Sequence, residues 1–284
     1  MNPSSILCIC GAGTMGSGIA QAMASAGFYT ILYELNDAVL EKAQSSIEKN
    51  LQSLVEKDKI TAKIKEETIN NLKFTNNLHD CLADVIIEAI IEKPEAKIAL
   101  FNQLAEINHS ETVFASNTSS LSITEIAKGV KNPERVIGMH FFNPATIMKL
   151  VEVVNTNYTN ENTTRIIIEL TKLLNKTHVL CKDSPGFIVN RVARPYYIES
   201  LRLVEENIAD LSTIDSIMES TGFKMGPFKL MDLIGNDINY GVSCSVYDQL
   251  GQPERLRPSP IQKEKVGSGK LGKKNGEGYY NYKS

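Results

Sequence analysis

Tryptophan is absent from the 284 residues, only five residues are cysteine, and Lys plus Arg (30) do not outnumber Asp plus Glu (33). The formal charge of -3 lacks the basic excess that a nucleic-acid or membrane-surface binder needs, so neither partner is expected. No apolar run approaches the roughly 18 residues of a membrane span. The first basic residue is Lys42, so the N-terminal stretch has neither the positive region of a signal peptide nor the arginines of a transit peptide. The cysteines (8, 10, 81, 181 and 244) are odd in number, scattered, and mostly set in apolar runs. Cys8-x-Cys10 falls on a predicted strand with no second ligand pair nearby. These read as buried thiols rather than a disulfide framework or a zinc site. A reducing, cytoplasmic compartment and no metal are the expectations. What is present is 42% hydrophobic residues, enough core material for about two domains.

No internal repeat or low-complexity tract interrupts the chain. Up to about residue 155, short β-rich apolar runs alternate with helical patterns. Strands are predicted at Ser5–Cys10, Tyr29–Tyr33, Val85–Ala89, Val113–Ser116, Val136–His140 and Leu150–Val154. Helices are predicted at Gly16–Ala26, Asp37–Lys57, Pro94–Asn108 and Ile123–Ala127, then at Asn162–Asn175 before a short strand near Val179–Cys181. This alternation predicts an α/β fold: a doubly wound, mainly parallel sheet of the Rossmann type. After Asp183-Ser184-Pro185-Gly186 the strand signal fades and helices take over, at Phe187–Asn207, Ser212–Thr221, Pro227–Ile234 and Asn236–Leu250. The expected division is a nucleotide-binding domain over 1–183 and a smaller all-α domain over 184–284.

The first predicted strand runs into Gly11-x-Gly13-x-x-Gly16, which opens a helix. Gly11 permits the tight turn, Gly13 lets backbone approach a pyrophosphate, and Gly16 allows close helix–strand packing. The N–H groups of Thr14 and Met15 would then face the phosphates from the positive end of the helix. Glu34 follows the second strand, where a carboxylate accepts from the adenosine ribose hydroxyls and repels the 2'-phosphate of NADP. NAD is the expected cofactor. A surface Glu closing a strand is the plainer reading of Glu34.

Four further segments carry polar residues at predicted strand or helix ends: Ala115–Ser120, His140–Pro144, Lys149–Val153 and Asp183–Arg191. His79, His109 and His178 read as structural hydrogen-bonders. His140 differs because it ends a strand of the sheet that carries the glycine turn, and ligands bind beyond the carboxyl ends of such strands.

With these segments in view, the sequence resembles the short-chain L-3-hydroxyacyl-CoA dehydrogenases, and among them the 3-hydroxybutyryl-CoA dehydrogenases. The matching stretches are GAGTMGSGIAQ, FASNTSSLSITEIA, GMHFFNP, MKLVEVV, KDSPGFIVNR, MGPFKLMDLIG and GKKNGEGYYNY, in family order along nearly the whole chain. The resemblance implies interconversion of (S)-3-hydroxyacyl-CoA and 3-ketoacyl-CoA by hydride transfer. It makes His140 the general acid/base and Glu152 its carboxylate partner, and it places Ser119 and Asn190 at the substrate oxygen. Ser119 also falls among the cofactor- and CoA-contacting positions. Glu92, Lys97, Asn143 and Lys274 match positions that contact NAD. The long helix near residues 40–60 would lie over the CoA moiety, with Lys57 as its phosphate candidate. The resemblance further implies a homodimer built through the helical domain. Two positions depart from the family pattern: Glu34 stands where Asp is more common, and Lys93 where Asn often is.

The residue types suit this chemistry. Oxidising a secondary alcohol removes a hydride from carbon and a proton from oxygen, and a neutral imidazole can take that proton. Glu152 would fix the imidazole tautomer and stabilise the imidazolium that forms. Ser119 and Asn190 would donate where negative charge develops. For Ser119 the alternative is a helix cap, since Ser120 and Ser122 also precede a helical pattern; for Asn190 it is an ordinary helix surface. Two rival functions remain at this level. One is a related β-hydroxyacid dehydrogenase acting on a free carboxylate. The other is a nucleotide-binding sensor or structural protein that has lost turnover.

Overall fold

The computed structural model describes residues 4–283. The chain divides into two compact units, the first ending at Asp183 and the second beginning at Ser184.

The first unit holds eight strands: β1 (Ile6–Cys10), β2 (Tyr29–Tyr33), β3 (Leu72–Thr75), β4 (Val85–Glu88), β5 (Val113–Ser116), β6 (Val136–Phe141), β7 (Leu150–Asn155) and β8 (Thr177–Lys182). They form one sheet in the order β3-β2-β1-β4-β5-β6-β7-β8. Neighbours from β3 through to β6 run parallel, β7 is antiparallel to β6, and β8 is parallel to β7. The reversal has a simple cause. Only Phe142 to Lys149 separate β6 from β7 and they hold no helix, whereas a parallel return needs a crossover of a dozen residues or more. Helices α1 (Thr14–Ser25), α2 (Asp37–Glu56), α3 (Ala62–Asn70), α4 (Pro94–Ile107), α5 (Ile123–Lys128) and α6 (Glu161–Leu173) complete the unit.

Strand periodicity sorts the side chains. Leu7, Ile9, Val85, Ile87, Val113, Ala115, Ile137, Met139, Val151 and Val153 share one face and cluster with Ile19, Met23, Ile47, Leu51, Ile167 and Leu170 of α1, α2 and α6. By the same alternation Cys8, Cys10, Glu88, Phe114, Ser116, Gly138, His140 and Glu152 lie on the opposite face. There Phe101 of α4 packs on Phe114 with ring centroids 5.3 Å apart. A Cβ on Gly138 would come within 3.0 Å of Ile123, so α5 sits hard against the strand that carries His140.

The second unit is helical: α7 (Val189–Glu205), α8 (Leu211–Ser220), α9 (Pro227–Ile234), α10 (Asn236–Gln249) and α11 (Pro260–Gly267). Two buried carboxylates organise it. Asp215 caps the start of α9, accepting from the N–H groups of Phe228 (2.9 Å) and Lys229 (3.1 Å), and takes the hydroxyl of Tyr280. Asp232 accepts from the N–H groups of Tyr279 (2.9 Å) and Tyr280 (3.0 Å), the Tyr282 hydroxyl and the Asn236 amide. Gly226 and Gly278 have no space for a side chain: a Cβ would stand 2.3 Å from Asp215 Oδ1 and 2.0 Å from Asp232 Oδ1, respectively. The MGPFKLMDLIG and GEGYYNY stretches are therefore two halves of one fastening, which folds the chain's last turns onto α9.

Three elements escape the sequence reading: α3, β3 and α11. Helix α3 buries only Thr68, and the four residues of β3 hold one buried side chain, so their apolar patterns are too weak to register. The predicted Cys8 and Cys10 thiols are buried and free, with sulfurs 3.9 Å apart.

Candidate active site

The glycine turn links β1 to α1. Gly11 adopts φ +99°, a region that favours glycine, and its N–H donates to Tyr33 O at 2.8 Å. A Cβ on Gly16 would stand 1.7 Å from Gly11 O, so only glycine lets the helix start this close to the strand. Gly13, the residue before α1, is different: nothing lies within 4 Å of where its Cβ would be. That open space is what a phosphate group approaching the N–H groups of Thr14 and Met15 requires, so the turn fits a dinucleotide. Glu34 follows β2 and turns back to this loop, accepting from Ala12 N–H (3.0 Å) and Asn36 N–H (3.2 Å).

His140 and Glu152 are direct cross-strand partners in the antiparallel β6–β7 ladder. Their side chains are 7% and 1% exposed, and His140 Nδ1 lies 2.8 Å from Glu152 Oε2. With Nδ1–H donated to the carboxylate, the neutral ring carries its lone pair on Nε2. Phe142 packs against the imidazole with centroids 4.6 Å apart. Asn117 Oδ1 accepts from Phe141 N–H at 2.9 Å, tying the end of β5 to that of β6 beside the histidine.

Between the glycine turn and His140 stands a second polar group. Lys97 of α4, 1% exposed, reaches Glu88 Oε2 at 2.7 Å and Glu92 Oε2 at 3.1 Å. Glu88 also accepts from the Ser116 hydroxyl and, at 3.3 Å, from Ile90 N–H. Burial pushes the Glu88 carboxyl above the usual carboxylate range, while Lys97 and Ser116 pull it back. Glu92 accepts from the Thr118 hydroxyl, from Ser119 N–H (3.3 Å) and from Ser120 Oγ (3.4 Å), so it holds the loop that carries Ser119. The cap of α5 is Ser122, which accepts from Glu125 N–H; Ser119 is not that cap.

The first unit thus brings Glu92, Lys97 and Ser119 into one network and sets His140 against Glu152. Asn143 is exposed in the β6–β7 connection, and Lys57 is exposed at the C-terminal end of α2. In the second unit Asn190 lies in the first turn of α7, and exposed Lys274 pairs with Asp237 at 2.6 Å. Glu88 and Ser116 were missed by sequence reasoning. The sequence held no distinguishing signal, because a lone carboxylate closing the apolar run Val85-Ile86-Ile87 reads as a solvated strand end.

Comparison with known proteins adds the following. The family model "3-hydroxyacyl-CoA dehydrogenase, NAD binding domain" matches residues 7–184, and "3-hydroxyacyl-CoA dehydrogenase, C-terminal domain" matches 186–282. The chain is 46% identical over 278 residues to a 3-hydroxyadipyl-CoA dehydrogenase of Escherichia coli (strain K12), covering 97% of this chain and 58% of that protein. It is 38% identical over 283 residues to the mitochondrial hydroxyacyl-coenzyme A dehydrogenase of Sus scrofa, covering 97% of this chain and 90% of the other. A crystal structure of 3-hydroxybutyryl-CoA dehydrogenase from E. coli K12 superposes with a TM-score of 0.95 at 45% identity, over all of this chain and 60% of that one. The chain thus spans less than two thirds of the E. coli relatives and nearly all of the porcine one.

Proposed function

Since this chain belongs to the 3-hydroxyacyl-CoA dehydrogenase family and carries that family's NAD-binding domain, we propose that it interconverts (S)-3-hydroxyacyl-CoA and 3-ketoacyl-CoA thioesters with NAD. The four-carbon pair, 3-hydroxybutyryl-CoA and acetoacetyl-CoA, is the proposed substrate couple. One observation carries the reading: an imidazole 2.8 Å from a buried carboxylate, at the carboxyl end of the sheet that bears the glycine turn.

When bound, the nicotinamide supplies the two-electron redox chemistry. The protein's own groups handle the proton. In alcohol oxidation His140 accepts the hydroxyl proton at Nε2, and in ketone reduction the imidazolium returns it. Glu152 holds the ring in the tautomer that leaves Nε2 basic, and its negative charge stabilises the imidazolium. The buried setting strengthens this pairing, because little water screens it. Ser119, held by Glu92 through its N–H, offers a hydroxyl to the reacting oxygen; Asn190 is assigned the same neighbourhood by resemblance alone. Gly11, Gly13, Thr14, Met15 and Gly16 are assigned to the pyrophosphate and Glu34 to the ribose. Glu92, Lys97, Asn143 and Lys274 are assigned to NAD contact, and Lys57 to CoA.

The exposed apolar side chains of the second unit, among them Val192, Ile208, Phe223 and Ile238, support a homodimer through that unit. Five unbridged cysteines support a reducing compartment such as the cytoplasm.

The test is NADH consumption, followed near 340 nm, with acetoacetyl-CoA and with free acetoacetate. Consumption with the thioester alone is expected. Equal rates with the free acid would refute the CoA assignment, and no turnover with either would leave a nucleotide-binding sensor. For the dimer, a melting temperature that does not change with protein concentration would count against an obligate assembly.

A further inference from the structure

Glu88, Lys97 and Glu92 form a cluster whose charges do not cancel. Two carboxylates share one ammonium, and among the described residues no other cation pairs with either carboxylate. Glu88 and Lys97 are essentially sealed, at 0% and 1% exposure, whereas the Glu92 side chain is 40% exposed and so faces outward from the buried pair. With Glu88 ionised, as its 2.7 Å contact with the Lys97 ammonium favours, the local sum is one uncompensated negative charge, partly sheltered from water.

Its place in the sheet gives that charge a target. Glu34 follows β2, the glycine turn follows β1, Glu88 ends β4, Ser116 ends β5, and His140 stands at the end of β6. These strands are consecutive neighbours in the order β2-β1-β4-β5-β6. From β1 to β6 there are three strand spacings, or about 14–15 Å. A dinucleotide that meets both the glycine turn and His140 must therefore cross the ends of β4 and β5, beside the cluster. The oxidised nicotinamide ring is a cation and the reduced ring is neutral. A fixed negative charge beside it stabilises one form and is nearly indifferent to the other.

Building on the function proposed above, we infer that the Glu88–Lys97–Glu92 cluster sets the redox preference of this site. It holds NAD+ more tightly, relative to NADH, than an electroneutral cluster would. The carboxylate assigned to cofactor contact is Glu92, and Glu88 behind it acts without touching the ligand. A single charge several ångströms away, in surroundings of effective dielectric near 20 and partly open to water, shifts the affinity ratio by about 3- to 30-fold.

The experiment measures dissociation constants of NAD+ and NADH by titration calorimetry at fixed ionic strength. The proteins compared are wild type, Glu88→Gln, Glu92→Gln and Thr118→Val. Each Gln variant brings the cluster to neutrality, and the ratio Kd(NADH)/Kd(NAD+) is expected to fall about 3- to 30-fold in both. Thr118→Val removes a hydrogen bond to Glu92 without changing charge, and its ratio should stay at the wild-type value. Half-exposed Glu92 tolerates replacement even if the buried Glu88→Gln variant does not fold. The inference is overturned if the Gln variants lose affinity for both forms by the same factor, or if Thr118→Val moves the ratio as far as they do. Wild-type protein that binds neither form would instead refute the proposed function.

Discussion

Replacing Glu152 by Gln tests the proposed catalytic pairing with little change of shape. Glu152 is buried, and its Oε2 meets His140 Nδ1 at 2.8 Å inside a continuous strand ladder, so the new side chain has little freedom to leave. The bond matters most when the imidazole is protonated, because it is then charge-assisted, and such bonds are worth about 1.5–3 kcal/mol. Alcohol oxidation creates that imidazolium, so losing 2–3 kcal/mol of its stabilisation slows turnover about 30- to 150-fold. The amide adds a second fault: if its NH2 faces Nδ1, the ring must hold its proton on Nε2 and ceases to be a base. The assay is initial rate in both directions, at saturating cofactor and thioester, across a pH series. Oxidation should fall on acidification and reduction on alkalinisation, and in Glu152→Gln both profiles should move. A thermal melt confirms that the variant is folded. A variant within about threefold of wild type, with unshifted profiles, would refute the pairing.

Other expectations follow from single features. His140→Gln should cut turnover on the order of 10²–10⁴-fold while calorimetry still detects NAD binding; retention of most activity would remove His140 from the mechanism. Glu34→Ala should weaken NAD roughly 3- to 30-fold and narrow the preference over NADP, both read as dissociation constants. Asp232→Asn sets an NH2 group against some of the four donors that now converge on the carboxylate, at a cost of about 2–4 kcal/mol. It should lower the melting temperature by several degrees and open the C-terminal segment to proteolysis. Burial and the nearby Glu152 and Asp183 raise the Cys181 thiol to about 11. Its thiolate is therefore scarce at neutral pH, and alkylation of the folded protein there should be far slower than that of the denatured chain, accelerating only in strong alkali.

Strand positions were legible wherever apolar β-branched runs met glycine or asparagine punctuation; β2 and β5 match the sequence reading residue for residue. The glycine turn was legible because its steric demands are local. The reversal at β7 was not, since apolar patterning reports burial and says nothing of strand direction. Glu88 went unread because one carboxylate at the end of an apolar strand looks like its solvated boundary. Its partner, Lys97, lies nine residues on along the chain and meets it only once α4 packs. Asp215 and Asp232 were hidden in a similar way. Each is an acid within an amphipathic helix, and its partners are supplied by chain far away in sequence.

The antiparallel β6–β7 ladder has a consequence for how this protein can be altered. The His140–Glu152 pair is aligned by backbone hydrogen bonds on both sides, while the eight residues joining the two strands lie outside that ladder. A one-residue insertion within either strand would turn its side chain to the wrong face and break the pair. The same insertion in the connection would leave the alignment intact. Length changes are therefore tolerated best in the middle of that connection, away from Phe142, which packs against the imidazole.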